Sequence, residues 1–123
     1  MAPVALAQGT PSITVVSPTP NQKITTTDIP LQVKTSGIDT ACKWVGTPDQ
    51  PGQGNIHVFL DKASLGALIN FYCGTDSITV SGEGITPGPH TLIVDLASNT
   101  HGDMLDTAQK VAIDYEPATP KPL

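Results

Sequence analysis

The sequence predicts an all-β protein, an antiparallel β-sandwich of about seven short strands. Three observations carry this expectation. Apolar residues come in short, β-branched bursts that alternate with polar ones, and no window sustains the 3.6-residue period of a helix. Eleven glycines and twelve prolines among 123 residues punctuate those bursts at the spacing of turns. The cleanest burst, within Thr86–His101 (TPGPHTLIVDLASNTH), opens on Pro87, Gly88 and Pro89. It then sets Leu92, Val94 and Leu96 on one face, the pattern of a central sandwich strand.

Residues 1–11 read as a leader. Ala5-Leu6-Ala7 ahead of Gln8 has the small-x-small form of a signal-peptidase site, so the start is expected to be the remnant of an export signal. An ordinary disordered leader is the alternative. Ser12–Ser17 (SITVVS) forms a first strand and Pro18–Asn21 a turn. In Ile29–Thr35 the residues Ile29, Leu31 and Val33 alternate inward, with Pro30 at the strand start or on an edge because it has no amide to donate. Gly37–Asn55 is the least regular stretch. A loop of that length in a compact domain is functional or tied down, and Cys42 supplies a tie. Trp44 is expected to pack beside that tie; a ligand-stacking platform is the alternative.

Asn55–Asp61 (NIHVFLD) is a second central strand, with Ile56, Val58 and Leu60 on one face and His57, Phe59 and Asp61 on the other. Lys62–Tyr72 suits either a short helical turn or an edge strand. Ser77–Ser81 is a strand, Gly82–Gly84 a turn, and Thr107–Tyr115 the last strand, with Val111, Ile113 and Tyr115 inward. Glu116–Leu123 (EPATPKPL) reads as a semi-rigid, proline-rich linker. The domain is therefore 12–115, large enough to bury a core of its own.

Cys42 and Cys73 stand 31 residues apart, too far for a CxxC redox or zinc pair. An even count in an exported chain suits one disulfide, worth about 3–4 kcal/mol on the chain-entropy model. Two free thiols are the alternative, and intact mass with and without reductant separates them. Six lysines and no arginine face eleven acids, for a net charge of −5. Such a chain repels phosphate backbones and anionic lipid, and it lacks the bidentate anchor for carboxylate or phosphate ligands. Nucleic acid and membrane surfaces are thus excluded as expected partners, and no apolar run approaches the ~18 residues that span a bilayer.

Three pieces give the sandwich a family resemblance. Ile13–Ile24 resembles the I-x-V-x-S-P-x-x-N/G-x-x-I opening of bacterial immunoglobulin-like modules. His57–Asp61 (HVFLD) resembles their V-x-F/Y-x-D strand and turn, and Pro87–Val94 (PGPHTLIV) their L-x-P-G-x-H-T-L-x-V strand. The resemblance, spread over most of 12–115, implies an Ig-like sandwich and a non-catalytic unit of a secreted or cell-surface protein. Spacing, adhesion and assembly are the roles it implies, with other protein domains or copies of itself as partners.

Three histidines remain to be placed. His90 shares the parity of Leu92 and Val94 just after a Pro-Gly turn, the place of the tyrosine corner in Ig-like sandwiches, and is expected to bond back to the turn. If 55–61 and 90–96 run antiparallel, His57 meets His101, with Asp103 and Asn55 nearby, while His90 lies beside Asp61 at the other end of the strands. Some relatives of the sandwich carry G-H-x-H where this chain has Gly54-Asn55-Ile56-His57, and secreted copper-binding sandwiches place a T-H pair resembling Thr100-His101. That resemblance implies a copper or zinc site from His57, His101 and Asp103, weighed against a pair of solvated loop-end imidazoles. Asn55 stands where one further ligand would be.

No catalytic residues are expected. The chain has no G-x-S-x-G elbow, no H-E-x-x-H and no phosphate-binding glycine loop, and Asp103 and Asp106 fall in an expected loop. The leading expectation is a non-catalytic extracellular module without a cofactor, whose outer face presents Phe59 and Ile93 side by side as an apolar interface. A copper- or zinc-binding protein is the alternative.

Overall fold

The computed structural model describes residues 9–119; the signal-remnant residues Ala5–Ala7 and the end of the proline-rich tail lie outside them. The chain folds as two sheets packed face to face. Strands β1 (Ser12–Ser17), β3 (Ile29–Ser36) and β6 (Ser77–Val80) form one sheet in the order β1-β3-β6. The other runs β2 (Gln22–Ile24), β8 (Asp103–Tyr115), β7 (Gly88–Ala97), β4 (Asn55–Leu60) and β5 (Leu68–Tyr72). Every pairing is antiparallel except β2 with β8.

Period-two alternation explains the core directly. In β4 and β7 the opposed pairs Ile56–Leu96, Val58–Val94 and Leu60–Leu92 turn toward the three-stranded sheet. There they meet Ile29, Leu31, Val33, Ile78 and Val80, with Ile113 and Tyr115 of β8 closing the cluster. Burying a side chain of this kind contributes about 1.5–3 kcal/mol, so these central strands hold the sandwich together. Tyr115 also donates its hydroxyl to the Thr27 carbonyl, satisfying the one polar atom it brings inside.

Three segments differ from expectation. β2 follows the expected Pro18–Asn21 turn, in a stretch not read as a strand, because three residues suffice to pair with Ile113–Tyr115. The Lys62–Tyr72 stretch is both alternatives in succession, a 3₁₀ turn at Leu65–Ala67 followed by edge strand β5. The last strand begins four residues early, at Asp103, so Asp103 and Asp106 lie in a strand and not a loop.

Cys42 and Cys73 form a disulfide that ties the long loop to the end of β5. A second tie comes from Asn99, fully buried, whose Nδ2 donates to Thr47 Oγ1, the Pro48 carbonyl and Gln53 Oε1. Gly54 lets the loop close against β7: a Cβ there would stand 2.1 Å from the Ala97 carbonyl oxygen, which only glycine avoids.

Candidate functional site

The antiparallel pairing of β4 with β7 sets His57 directly opposite Asp95 on the outer face of the five-stranded sheet. Asp103, the first residue of β8, pairs with Ala97 on the same face. His101 sits in the tight turn between the two strands, which is closed by bonds from the Ser98 amide to the Gly102 carbonyl and from the His101 amide to the Ser98 carbonyl. Its φ of 70° lies in the left-handed region, which aims the ring back over the sheet.

These residues converge. His57 Nδ1 lies 2.8 Å from Asp103 Oδ1, and His57 Nε2 lies 3.2 Å from His101 Nδ1. The imidazoles stack with centroids 5.4 Å apart and planes 20° from parallel. Burial holds the His57 imidazole below its usual pKa against the opposing pull of the Asp103 carboxylate. A neutral ring donating from Nδ1 to Asp103 leaves Nε2 to accept from His101 Nδ1–H, and this tautomer satisfies both contacts.

Asp95 is the member that sequence reasoning missed. It is fully buried, and no N–H or hydroxyl of another residue bonds either carboxylate oxygen, so a bond to Asp103 needs a proton on Asp95 itself. Burial first, then the hydrogen bond to Asp103 and its charge, push the Asp95 carboxyl up to about 8. The cause is a register break: Val94 pairs with Gln109 but Leu96 pairs with Met104, so β8 spends four residues passing the single residue Asp95. Thr107 fills the break, accepting from the Leu96 amide and donating to the Met104 carbonyl. Irregularities of this kind recur beside functional sites, where they re-aim a side chain. One signal was legible beforehand: a lone acid in the apolar run LIVDLA, since aspartate is almost never fully buried without a partner.

His57, Asp95 and Asp103 each offer a ligand atom within 4.8 Å of the others. His101 touches His57 from its other nitrogen and stands outside that set. Asn55 is buried nearby, donating to the Ser98 carbonyl. The expectation of a solvated His57 is corrected: the residue is 1% exposed, and access runs past Asp103, which is 21% exposed.

Phe59 and Ile93 do lie side by side on this outer face, but they are 1% and 3% exposed, so they are not an open apolar interface. They form a cross-sheet row with Leu68 on β5 and Lys110 on β8. Phe59 also meets the His57 ring edge-on at 6.0 Å. The exposed aromatic of the region is Phe71, 4.7 Å from His101.

His90 bridges the far end of the strands as a corner residue, with Nε2 2.6 Å from the Thr86 carbonyl and Nδ1 2.9 Å from Asp61 Oδ2. Trp44 is half-buried beside the disulfide; it donates to Asp39 and carries Lys43 over its ring at 4.7 Å.

No family model matches the sequence, and no curated protein does. Among solved structures, the chain is similar to the fibronectin(III)-like modules of Clostridium thermocellum CbhA. The identity is 12%, 87% of this chain and 99% of that one are covered, and the TM-score is 0.55. The likeness is one of fold. An Ig-like, fibronectin(III)-like sandwich with one disulfide is thus the architecture. That fold and the Cys42–Cys73 bridge fit an extracellular protein. No helix among the described residues is long and apolar enough to cross a membrane.

Proposed function

We propose that this chain is an exported, non-catalytic sandwich module that works by holding a ligand, and that its working site is the His57–Asp95–Asp103–His101 cluster. The observation that carries this reading is Asp95. A spacer gains nothing from burying an aspartate against a second carboxylate with no donor on it, an arrangement that costs folding free energy. Natural proteins keep such costs where a site needs them.

The geometry speaks against hydrolysis. An Asp–His pair needs a hydroxyl or thiol on the free imidazole nitrogen, whereas His57 Nε2 faces another imidazole. The module's wider role, as a spacing or assembly unit among other domains or copies of itself, rests on the sequence resemblance to bacterial immunoglobulin-like modules, with which the fold agrees. The apolar patch once expected for adhesion is buried and does not support that role.

The test is a panel of ester, phosphoester, peptide and glycoside substrates with wild type and His57→Gln. The expected result is no turnover above buffer by either protein. Turnover by the wild type that disappears in His57→Gln overturns the non-catalytic reading.

A further inference from the structure

We propose that His57 Nδ1, Asp95 and Asp103 bind a divalent transition-metal ion of the Zn(II) or Cu(II) kind, with His101 as a positioning residue on the other nitrogen of His57. The inference rests on reading this cluster as the module's working site. It differs from the sequence expectation in its ligands, since Asp95 enters and His101 steps back.

Charge comes first. With both carboxylates ionised, as ligands must be, the two acids and a neutral imidazole carry a formal charge of −2, which a dication neutralises. Without a cation, no N–H or hydroxyl of another residue bonds either Asp95 oxygen. An unpartnered carboxylate that is fully buried and aimed into a histidine–aspartate cluster is the independent sign of a missing positive partner.

Distance comes second. Ligands about 2.1 Å from a tetrahedral ion stand about 3.4 Å from one another. The three ligand atoms lie within 4.8 Å of each other, so side-chain adjustments of about 1 Å close the site on an ion of that size. The ion takes the place of the proton between His57 Nδ1 and Asp103 Oδ1, which shifts to the other ring nitrogen.

The tautomer comes third. When Nδ1 takes the ion, the imidazole proton moves to Nε2, and His101 shifts its own proton from Nδ1 to Nε2 so that its Nδ1, at 3.2 Å, accepts. That bond fixes the ring's orientation from outside, as the partners of metal-binding histidines do. Ligand chemistry sets the class: one imidazole with two carboxylates and no thiolate or thioether suits borderline divalent ions and not Cu(I).

The experiment is calorimetric titration of tag-free, chelator-treated protein with Zn(II) and with Cu(II), using wild type, Asp95→Asn, Asp103→Asn, His57→Gln and His101→Gln. Co(II) absorption reports the ligand field, and circular dichroism reports folding. One ion per chain is expected in the wild type. Each of the first three variants should lose more than the ~100-fold that outer partners cost at most, while His101→Gln loses about 10-fold and keeps the wild-type Co(II) spectrum. Wild type that binds neither ion more tightly than about 100 µM overturns the proposal, as does affinity unchanged in Asp95→Asn and Asp103→Asn. The two readings separate cleanly. Absent binding with Asp95→Asn melting above wild type removes the metal and leaves the site, whereas Asp95→Asn melting well below wild type removes the site.

Discussion

Replacing Asp95 with asparagine should make the metal-free protein more stable, although it removes a buried carboxyl from the centre of a sheet. The pKa of this carboxyl rises from an ordinary 3.8 to about 8 in the folded protein. At pH 7 the unfolded chain ionises it, and the folded chain must reprotonate it. Each pH unit is worth about 1.4 kcal/mol, so three units cap the cost at roughly 4 kcal/mol. Asparagine is neutral and nearly the same shape, and it offers Asp103 a donor. Its second N–H is left without a partner, which returns about 1–3 kcal/mol. The net expectation is a gain of roughly 1–3 kcal/mol, or about 5–15 °C in Tm.

The pH dependence checks the same cause. A raised folded pKa means that the native state holds more protons, so its stability is present below pH 3.8 and is lost as pH rises toward 8. His57, with a lowered pKa, acts oppositely below its usual 6.5, which leaves pH 6.5–8 as the window where wild type should weaken and Asp95→Asn should stay level. Urea unfolding of both proteins across that window measures it. Asp95→Asn less stable than wild type by more than about 1 kcal/mol at pH 7 would refute the reasoning, because Asp95 would then be a structural hydrogen-bonding group.

Other expectations test the frame around the site. Replacing Cys42 and Cys73 by serine should cost about 3 kcal/mol in urea unfolding, and a loss under 1 would mean the loop is held chiefly by Asn99. Phe59→Ala should cost about 3–5 kcal/mol if the outer face is buried, whereas an exposed phenylalanine would cost almost nothing. Thr107→Val removes the acceptor of the buried Leu96 amide and should cost about 1–3 kcal/mol, with faster amide exchange at Leu96; unchanged exchange would show another partner there.

Much of the frame was legible in the residues because its cause is local. Period two in IPLQVKT, NIHVFLD and HTLIVDL marks the strands, and antiparallel pairing alone brings His57 to His101 and His90 to Asp61. Two features were not legible, for one physical reason. Alternation tells which face a side chain takes but not what covers that face. Phe59, Ile93 and His57 therefore read as outward and solvent-facing, although all three are buried there, His57 beneath the stacked His101 ring. Asp95 went unread because its isolation depends on a register break in β8 about ten residues downstream, which no pattern within β7 encodes.

Crystals of metal-free protein soaked in Zn(II), with anomalous scattering collected at the zinc edge, locate the ion itself. One peak within about 2.0–2.2 Å of His57 Nδ1, an Asp95 oxygen and an Asp103 oxygen is the expected result. A peak bound through His57 Nε2 and His101 without Asp95, or no peak on this face at all, contradicts the account.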